Sequence, residues 1–546
     1  MHYVAEQFTP EEEATLRPYF TNLDGPVFAL VNLPEVVKGA LFARYSRSSK
    51  SLRRLFLDEF VSDLDLTGDL TVDATIGLRR AEELYERVFL EYGDDSVAQL
   101  GGVHLACEQA SNILTKILEW GRLMAYLEQS TRYIPYDSRL GGLYRYLRPP
   151  SILRSRFGAR YVGDLDSLFD SYAAASPVLM DWARECYPKD PSDSDFVYKQ
   201  TIKAKACDAA RGMLPSATLS NVGIYGTGQA FEALLLRMRA HPLPEARSYS
   251  TLMLEELRKV IPSFLTRVDR PDRGIAWSRY LEETATETES TVAKIFRDES
   301  SEPRPAVTLT DFDPEGEDKV IAAICYSHLE LPDDQLLARV RRLAADERAS
   351  ILLAYVGERA NRRHKPGRAF ERTDYRFDVV CDYGAFRDLQ RHRMLTIEWQ
   401  RLTPRLGFEH PAAISEAGLD VLFEDAMGRS AALHDDLEGQ FPVEASYAVA
   451  LAYRIRFAMQ MNAREAVHML ELRSSSQGHP AYRVVAQEMH RLIAEQAGHH
   501  ALAAAMVYVD HEDHDLGRLA GERAAAARRE ARGPSGAESK SEVAGS

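Results

Sequence analysis

Two stretches of this chain crowd guanidinium, imidazole and hydroxyl groups into a few residues. The first runs from Trp120 to Tyr133, with Arg122 near its start, and closes on Glu128-Gln-Ser130-Thr-Arg132-Tyr133. The second is Arg391-His392-Arg393, followed by Thr396. Guanidinium forks make paired, charge-assisted hydrogen bonds to phosphate oxygens, and a serine hydroxyl adds another donor. Each such bond contributes on the order of 1.5–3 kcal/mol. Ser130 and Arg132 are the right types to hold a phosphate group. Arg391, His392 and Arg393 offer a second set of donors for an anionic ligand. If Arg464 and His468 lie on a helix they share a face, with Arg473 further along. Each stretch also has a plain reading. Ser130 to Tyr133 alone is more often a surface turn, and Arg391-His392-Arg393 alone a solvated helix end.

The elements that must position these groups are mostly helical. Ile76–Tyr92 and Val97–Leu118 have the periodicity of amphipathic helices. Strand signals are fewer: Ala306–Leu309 is one, and Tyr375–Cys381 alternates and then turns apolar. The fold class expected is α+β, helix in excess. A length of 546 residues exceeds the roughly 250–300 that one core supports, so at least two domains are expected. The charged, proline-containing stretch Arg297–Pro305 reads as a linker. The tail beyond about Leu516 lacks apolar residues past Gly533 and reads as disordered. The divisions are 1–296, a linker at 297–305, a second domain at 306–512 and a tail at 513–546.

Charge and cysteine use bound the function. A net charge of -15 disfavours broad binding to nucleic acid, which needs a basic face, but permits a small anion in a local arginine cluster. The five cysteines form no CxxC pair, so neither a zinc ribbon nor a disulfide framework is indicated, and a reduced, cytoplasmic setting is expected. The N-terminus is acidic and no run of roughly 18 apolar residues exists, so no signal core or membrane span is expected. Gly223-Ile-Tyr-Gly-Thr-Gly228 is glycine-rich without a dinucleotide-binding context. His490, His499, His500, His511 and His514 form no closed ligand set, so no metal is expected. Arg362-Arg-His-Lys365 reads as a solvated loop.

Laid side by side, the two stretches resemble one signature, RHRxxSxNExSxRY, that of the flavin-dependent thymidylate synthases. The first keeps Arg122, Glu128, Ser130, Arg132 and Tyr133 but has Trp120-Gly121 for the leading Arg-His. The second keeps Arg391, His392 and Arg393, then departs at Trp399-Gln-Arg-Leu-Thr-Pro404. Downstream, the first half has Ala210-Arg-Gly-Met-Leu-Pro215 and Leu236-Arg237, matching the family's A-R-x-x-L-P and later arginine. The second has Asn462-Ala-Arg464 leading to Arg473, with Ser446 near the place of the A-R arginine. Phe370-Glu371 resembles the family's F-E pair, whose first-half place falls near Gln99-Leu100.

The resemblance implies two tandem domains, each an antiparallel sheet with long helices. It implies that FAD is the cofactor, with NADPH and methylenetetrahydrofolate as co-substrates, and that deoxyuridine monophosphate is methylated. By position, Arg237 and Glu128 would be catalytic, and Arg122, Ser130, Arg132, Tyr133, Arg211 and Arg473 would hold the nucleotide. Glu371, Arg391, His392, Arg393, Asn462, Arg464 and His468 would hold the flavin. The first half keeps mostly the nucleotide set and the second mostly the flavin set, so one site composed from both halves is expected. The family's sites lie between subunits, which implies a homodimer acting as a pseudo-tetramer. Two alternatives stand beside this: a silent flavin- or nucleotide-binding protein, and a flavin enzyme acting on another nucleotide.

Overall fold

The computed structural model describes residues 3–33, 38, 41–42, 45, 48–59, 102–191 and 193–512. Ile76–Tyr92, the Gln99-Leu100 position and the tail from 513 lie outside the described residues. Among the described residues, eight strands form two four-stranded sheets. The first, from β1 (Val27–Leu30), β2 (Gly102–Ser111), β3 (Met124–Glu128) and β4 (Leu219–Thr227), has the order β1-β2-β4-β3. The second, from β5 (Val307–Phe312), β6 (Asp374–Asp382), β7 (Thr396–Trp399) and β8 (Arg454–Asn462), has the order β5-β6-β8-β7. The same order in two sheets is the signature of a repeat, and the fold is α+β as expected.

The repeat extends to the caps. β2 ends on Ser111, whose side chain accepts from Leu114 N and opens α1 (Asn112–Leu118). β6 ends on Asp382, whose carboxylate accepts from Ala385 N at 2.9 Å and opens α6 (Tyr383–Leu389). Thr227 caps α4 (Gly228–Ala240) at the end of β4, and Asn462 caps α8 (Ala463–Arg473) at the end of β8. Each cap satisfies a backbone N–H that the first helical turn leaves orphaned. Between β3 and β4 run α2 (Gly158–Cys186) and α3 (Asp195–Ala210); between β7 and β8 runs α7 (Asp420–Glu438). After α4 and α8 come α5 (Pro244–Arg258) and α9 (Pro480–Glu495), each with proline in its first turn.

One expectation is overturned. In the described part of Val97–Leu118, from Gly102 on, only Asn112–Leu118 is helix, and Gly102–Ser111 is the central strand β2. Its Leu, Ala, Glu and Gln content favours helix locally, but β2 is hydrogen-bonded to β1 on one side and β4 on the other. Two ladders and a buried face outweigh weak local propensity. The ladder shifts register between Cys107 and Ala110, where Gln109 takes φ 55° and donates its N–H to Asn221 Oδ1 at 2.8 Å. The glycine-rich Gly223–Gly228 lies at a strand-to-helix junction after all. Its strand runs antiparallel to β2 and β3, so it is no dinucleotide-binding βαβ turn.

The chain divides into two compact units. One comprises Met1–Ser176, Ala209–Pro303 and Arg401–Arg454; the other comprises Pro177–Asp208, Arg304–Gln400 and Ile455–Ser546. The first contains the first sheet and the second contains the second. In each half, part of the connection from third to fourth strand belongs to the unit of the other half. Arg297–Pro305 is irregular and exposed. Among the described residues no helix is long and apolar enough to cross a membrane.

The first unit contains a local two-fold pattern. Ala210–Pro215 runs beside its second-half counterpart. Ser216 N donates to Val449 O at 2.8 Å and Leu451 N to Leu214 O at 2.9 Å, while Ala217 N donates to Tyr447 O at 3.1 Å and Ala452 N to Gly212 O at 3.0 Å. Swapping each residue for its counterpart maps one pair of bonds onto the other. Gly212 suits this approach, since a Cβ there would make tight contacts, 3.1 Å from Ala452 Cβ and 3.3 Å from the Phe423 ring. Close by, buried Glu245 accepts from Ser111 N and Oγ and from Tyr447 OH at 2.6–2.9 Å. Burial raises its carboxyl, and those three donors pull it back.

Candidate functional site

In the second unit, α6 ends at Leu389 and the turn Gln390-Arg391-His392-Arg393 leads into β7. His392 is buried. Its Nδ1 lies 3.0 Å from Glu465 Oε1, and its Nε2 accepts from Arg473 Nε at 3.0 Å. The second oxygen of Glu465 lies 3.3 Å from His468 Nδ1. Burial lowers His392 to about 4, although the bond to Glu465 raises it and Arg473 adds to the fall. Burial pushes Glu465 up, but hydrogen bonds from His392 and His468 outweigh it and hold the carboxyl at about 2.

Helix α8 carries most of this arrangement. Asn462 Oδ1 accepts from Glu465 N at 2.9 Å, fixing the first turn. Arg464 donates from Nε to Pro366 O at 3.0 Å and reaches Glu371 Oε1 at 3.4 Å. Glu371 also pairs with Arg368 at 3.1 Å. Arg391 lies 3.4 Å from Asp388, and Arg393 is exposed. Glu371 and Arg464 therefore meet, as do His392, His468 and Arg473. Arg473, assigned by resemblance to the nucleotide, lies among residues of the flavin set. His392, Glu465 and His468 are also close enough to share a cation. The Arg473 guanidinium on the far nitrogen of His392 puts positive charge against that use.

The first unit places different chemistry at the corresponding turn. Counted from the helix caps, Trp120 occupies the place of Arg391 and Gly121 that of His392. The Arg237 guanidinium lies over the Trp120 ring, 4.0 Å from its centroid. Glu128, at the end of β3, is buried and accepts from Lys116 Nζ at 3.1 Å, which also pairs with Glu119 at 2.5 Å. Ser130 to Tyr133 forms a turn in which Ser130 Oγ accepts from Arg132 N at 3.3 Å, and the Arg132 guanidinium lies 5.9 Å from the Tyr133 ring centroid. Arg211 is buried at the start of its 3-10 turn, in the strip that meets its counterpart. Arg122 is exposed between α1 and β3.

Lys116, Glu119 and Glu465 escaped the reading of the sequence. A spacing of three ties Lys116 to Glu119, Asn462 to Glu465, and Glu465 to His468, and that pattern is visible in the chain. What it does not reveal is burial. Ion pairs at this spacing usually lie on solvated faces and contribute little.

The histidine–carboxylate cluster should make the fold acid-sensitive. His392 titrates near 6.5 when unfolded and near 4 when folded, so the unfolded state takes up the proton first. Its stability contribution is present above about pH 6.5 and lost as pH falls to about 4, on the order of 3 kcal/mol. The depressed Glu465 adds a further loss between about 4.5 and about 2. Urea unfolding followed from pH 7.5 to 4 should show the midpoint falling, and His392→Gln should flatten part of that fall. An unchanged slope in the variant would mean that His392 does not titrate in this window.

Comparison with known proteins adds an independent finding. A family model described as thymidylate synthase complementing protein matches residues 40–263 and again 308–497. A UPF0159 protein of Chlamydia muridarum is 37% identical over 516 residues, covering 94% of this chain and 97% of the relative. One from Chlamydia pneumoniae is 37% identical over 519 residues, with the same two coverages. A third, from Thermoplasma acidophilum, is 31% identical over 512 residues, covering 89% of this chain and 97% of its own length.

Proposed function

Because the chain belongs to the thymidylate synthase complementing protein family, matched once in each half, we propose that it is an FAD-dependent thymidylate synthase. It would methylate deoxyuridine monophosphate, with methylenetetrahydrofolate as carbon donor and NADPH as reductant. The observation that carries this reading is the sorting of chemistry between two sheets of one topology. The second half keeps Arg391, His392 and Arg393 in one turn, with His392 bonded to Arg473, and with Arg464 and His468 on the same helix as Arg473. The other has tryptophan and glycine there but keeps Glu128, Ser130 and Arg132.

The donor set of the second unit fits a flavin dinucleotide. Arg391, Arg464 and His468 are partly exposed, with 34–39% of each side chain accessible, so they can meet a ligand without breaking a core. Arg391, Arg393 and Arg464 would hold the pyrophosphate, while buried His392 would support the ring end. FAD, once reduced, supplies hydride, and the protein supplies orientation and charge. Ser130, Arg132 and Arg211 would bind the nucleotide phosphate. Arg237 and Arg473 are the cations suited to charge developing on a pyrimidine ring. None of the five cysteines lies in either signature, so no thiol nucleophile is invoked. The nucleotide set lies in the first half and the flavin set in the second, and in this reading two chains pair as a pseudo-tetramer.

One observation favours a second reading, a flavin- and nucleotide-binding protein without turnover: Arg237 is engaged by the Trp120 face. Two measurements separate the readings. Purified protein should be yellow with a flavin spectrum. It should release tritium from 5-labelled deoxyuridine monophosphate when given methylenetetrahydrofolate and NADPH. A flavin-loaded preparation that releases none rules out the synthase and leaves the binding protein or a different nucleotide.

A further inference from the structure

We propose that Glu465 is a positioning residue: by keeping the ring proton of His392 on Nδ1 it leaves Nε2 to accept from Arg473, and so sets where the Arg473 guanidinium lies. The proton assignment follows from what each group can do. Arginine has donors only, so the 3.0 Å contact between Arg473 Nε and His392 Nε2 requires a lone pair on Nε2. The neutral ring must then carry its proton on Nδ1, which faces Glu465 Oε1 at 3.0 Å. An ionised carboxylate only accepts, and it fits that place. Its other oxygen is met by His468 Nδ1 at 3.3 Å. Only one proton arrangement satisfies the row from Arg473 through His392 to Glu465.

Three further observations support the role. Glu465 is anchored at the first turn of α8 by the Asn462 cap, so its carboxylate starts from a fixed backbone. The depressed values of both groups keep His392 neutral and Glu465 ionised at neutral pH. The Arg473 guanidinium lies 5.5 Å from the Tyr482 ring centroid, a second restraint on its placement, while the bond to His392 uses Nε alone. Tyr482 is also a side-chain hydrogen-bond partner of that guanidinium. The first half lacks this device. Gly121 and Ala230 stand at the places of His392 and Glu465, and Arg237 lies on Trp120 instead. That the guanidinium then serves a nucleotide rests on the function proposed above; the proton arrangement does not.

The test uses full-length protein labelled with 15N at histidine and arginine, read by NMR without ligand. The wild type should show one ring, lost in His392→Gln, as the Nδ1–H form, and one slowly exchanging arginine Nε–H, lost in Arg473→Lys. Glu465→Met should mix the ring's tautomers and speed exchange of that Nε–H at least tenfold. Glu465→Gln, which keeps a carbonyl acceptor, should preserve both signals. If Glu465→Met leaves both unchanged in a folded protein, or if Glu465→Gln loses them equally, the positioning role is overturned. In flavin-loaded protein, Glu465→Met should also bind deoxyuridine monophosphate about tenfold more weakly, with Glu465→Gln near the parent. A wild type that shows both signals yet takes no nucleotide supports the positioning role and refutes the nucleotide reading.

Discussion

Flavin-loaded Arg132→Ala protein should bind deoxyuridine monophosphate roughly ten- to a hundredfold more weakly than the parent while retaining its flavin, and Arg391→Ala should do the reverse. The magnitude is that of one charge-assisted bond to phosphate, about 1.5–3 kcal/mol, at about 1.4 kcal/mol per tenfold. Arg132 is partly buried in the turn after β3, where Ser130 Oγ accepts from its backbone N–H. Truncating its side chain leaves that bond in place, so a nucleotide-specific loss would report the guanidinium rather than a collapsed turn. Arg391 sits at the corresponding turn of the other sheet, 34% exposed and 3.4 Å from Asp388. Equilibrium dialysis of the nucleotide and fluorescence titration of the flavin measure the two affinities separately. Parental affinity for both ligands in both variants would refute the division of labour between the halves.

A larger effect on stability is expected from Glu471→Gln. On α8, Glu471 forms two parallel bonds with Arg359, at 2.5 and 2.7 Å, with both side chains at most 2% exposed. Arg359 also donates to Ala505 O at 2.8 Å, and Tyr508 OH donates to Arg359 O. The pair thereby ties α8 to the segment that follows α9. Removing one partner leaves a buried charge without its counterion, which costs about 3–5 kcal/mol. Double replacement, Arg359→Met with Glu471→Met, removes both charges and should recover most of that loss. Urea unfolding with a probe in the second unit gives both numbers. Because α8 also carries Asn462, Arg464, Glu465, His468 and Arg473, flavin affinity should fall with stability in the single variant and return in the double. A single variant within 1 kcal/mol of the parent would show that solvent reaches Arg359.

The sequence determined a good deal alone. The motif residues, their order and their unequal survival in the two halves are local properties of the chain, and they carried the repeat, the family and the α+β class. The strand at Tyr375–Cys381 was legible because alternation reports a half-buried face directly. The caps Ser111, Thr227, Asp382 and Asn462 are of residue types that favour a helix start, although the reading of Val97–Leu118 as one helix passed over Ser111.

Only the tertiary structure decided the rest. Gly102–Ser111 became strand because neighbours on both sides supply ladders that no window of sequence contains. The exchange of Pro177–Asp208 and Arg401–Arg454 between units is invisible to any reading that cuts the chain at a linker. Glu465, Lys116 and Glu119 look like surface charges in sequence and are buried in the fold. Periodicity reports which residues share a face. It does not report what that face meets, and burial, partner and proton placement all depend on the residue across the contact, often far along the chain.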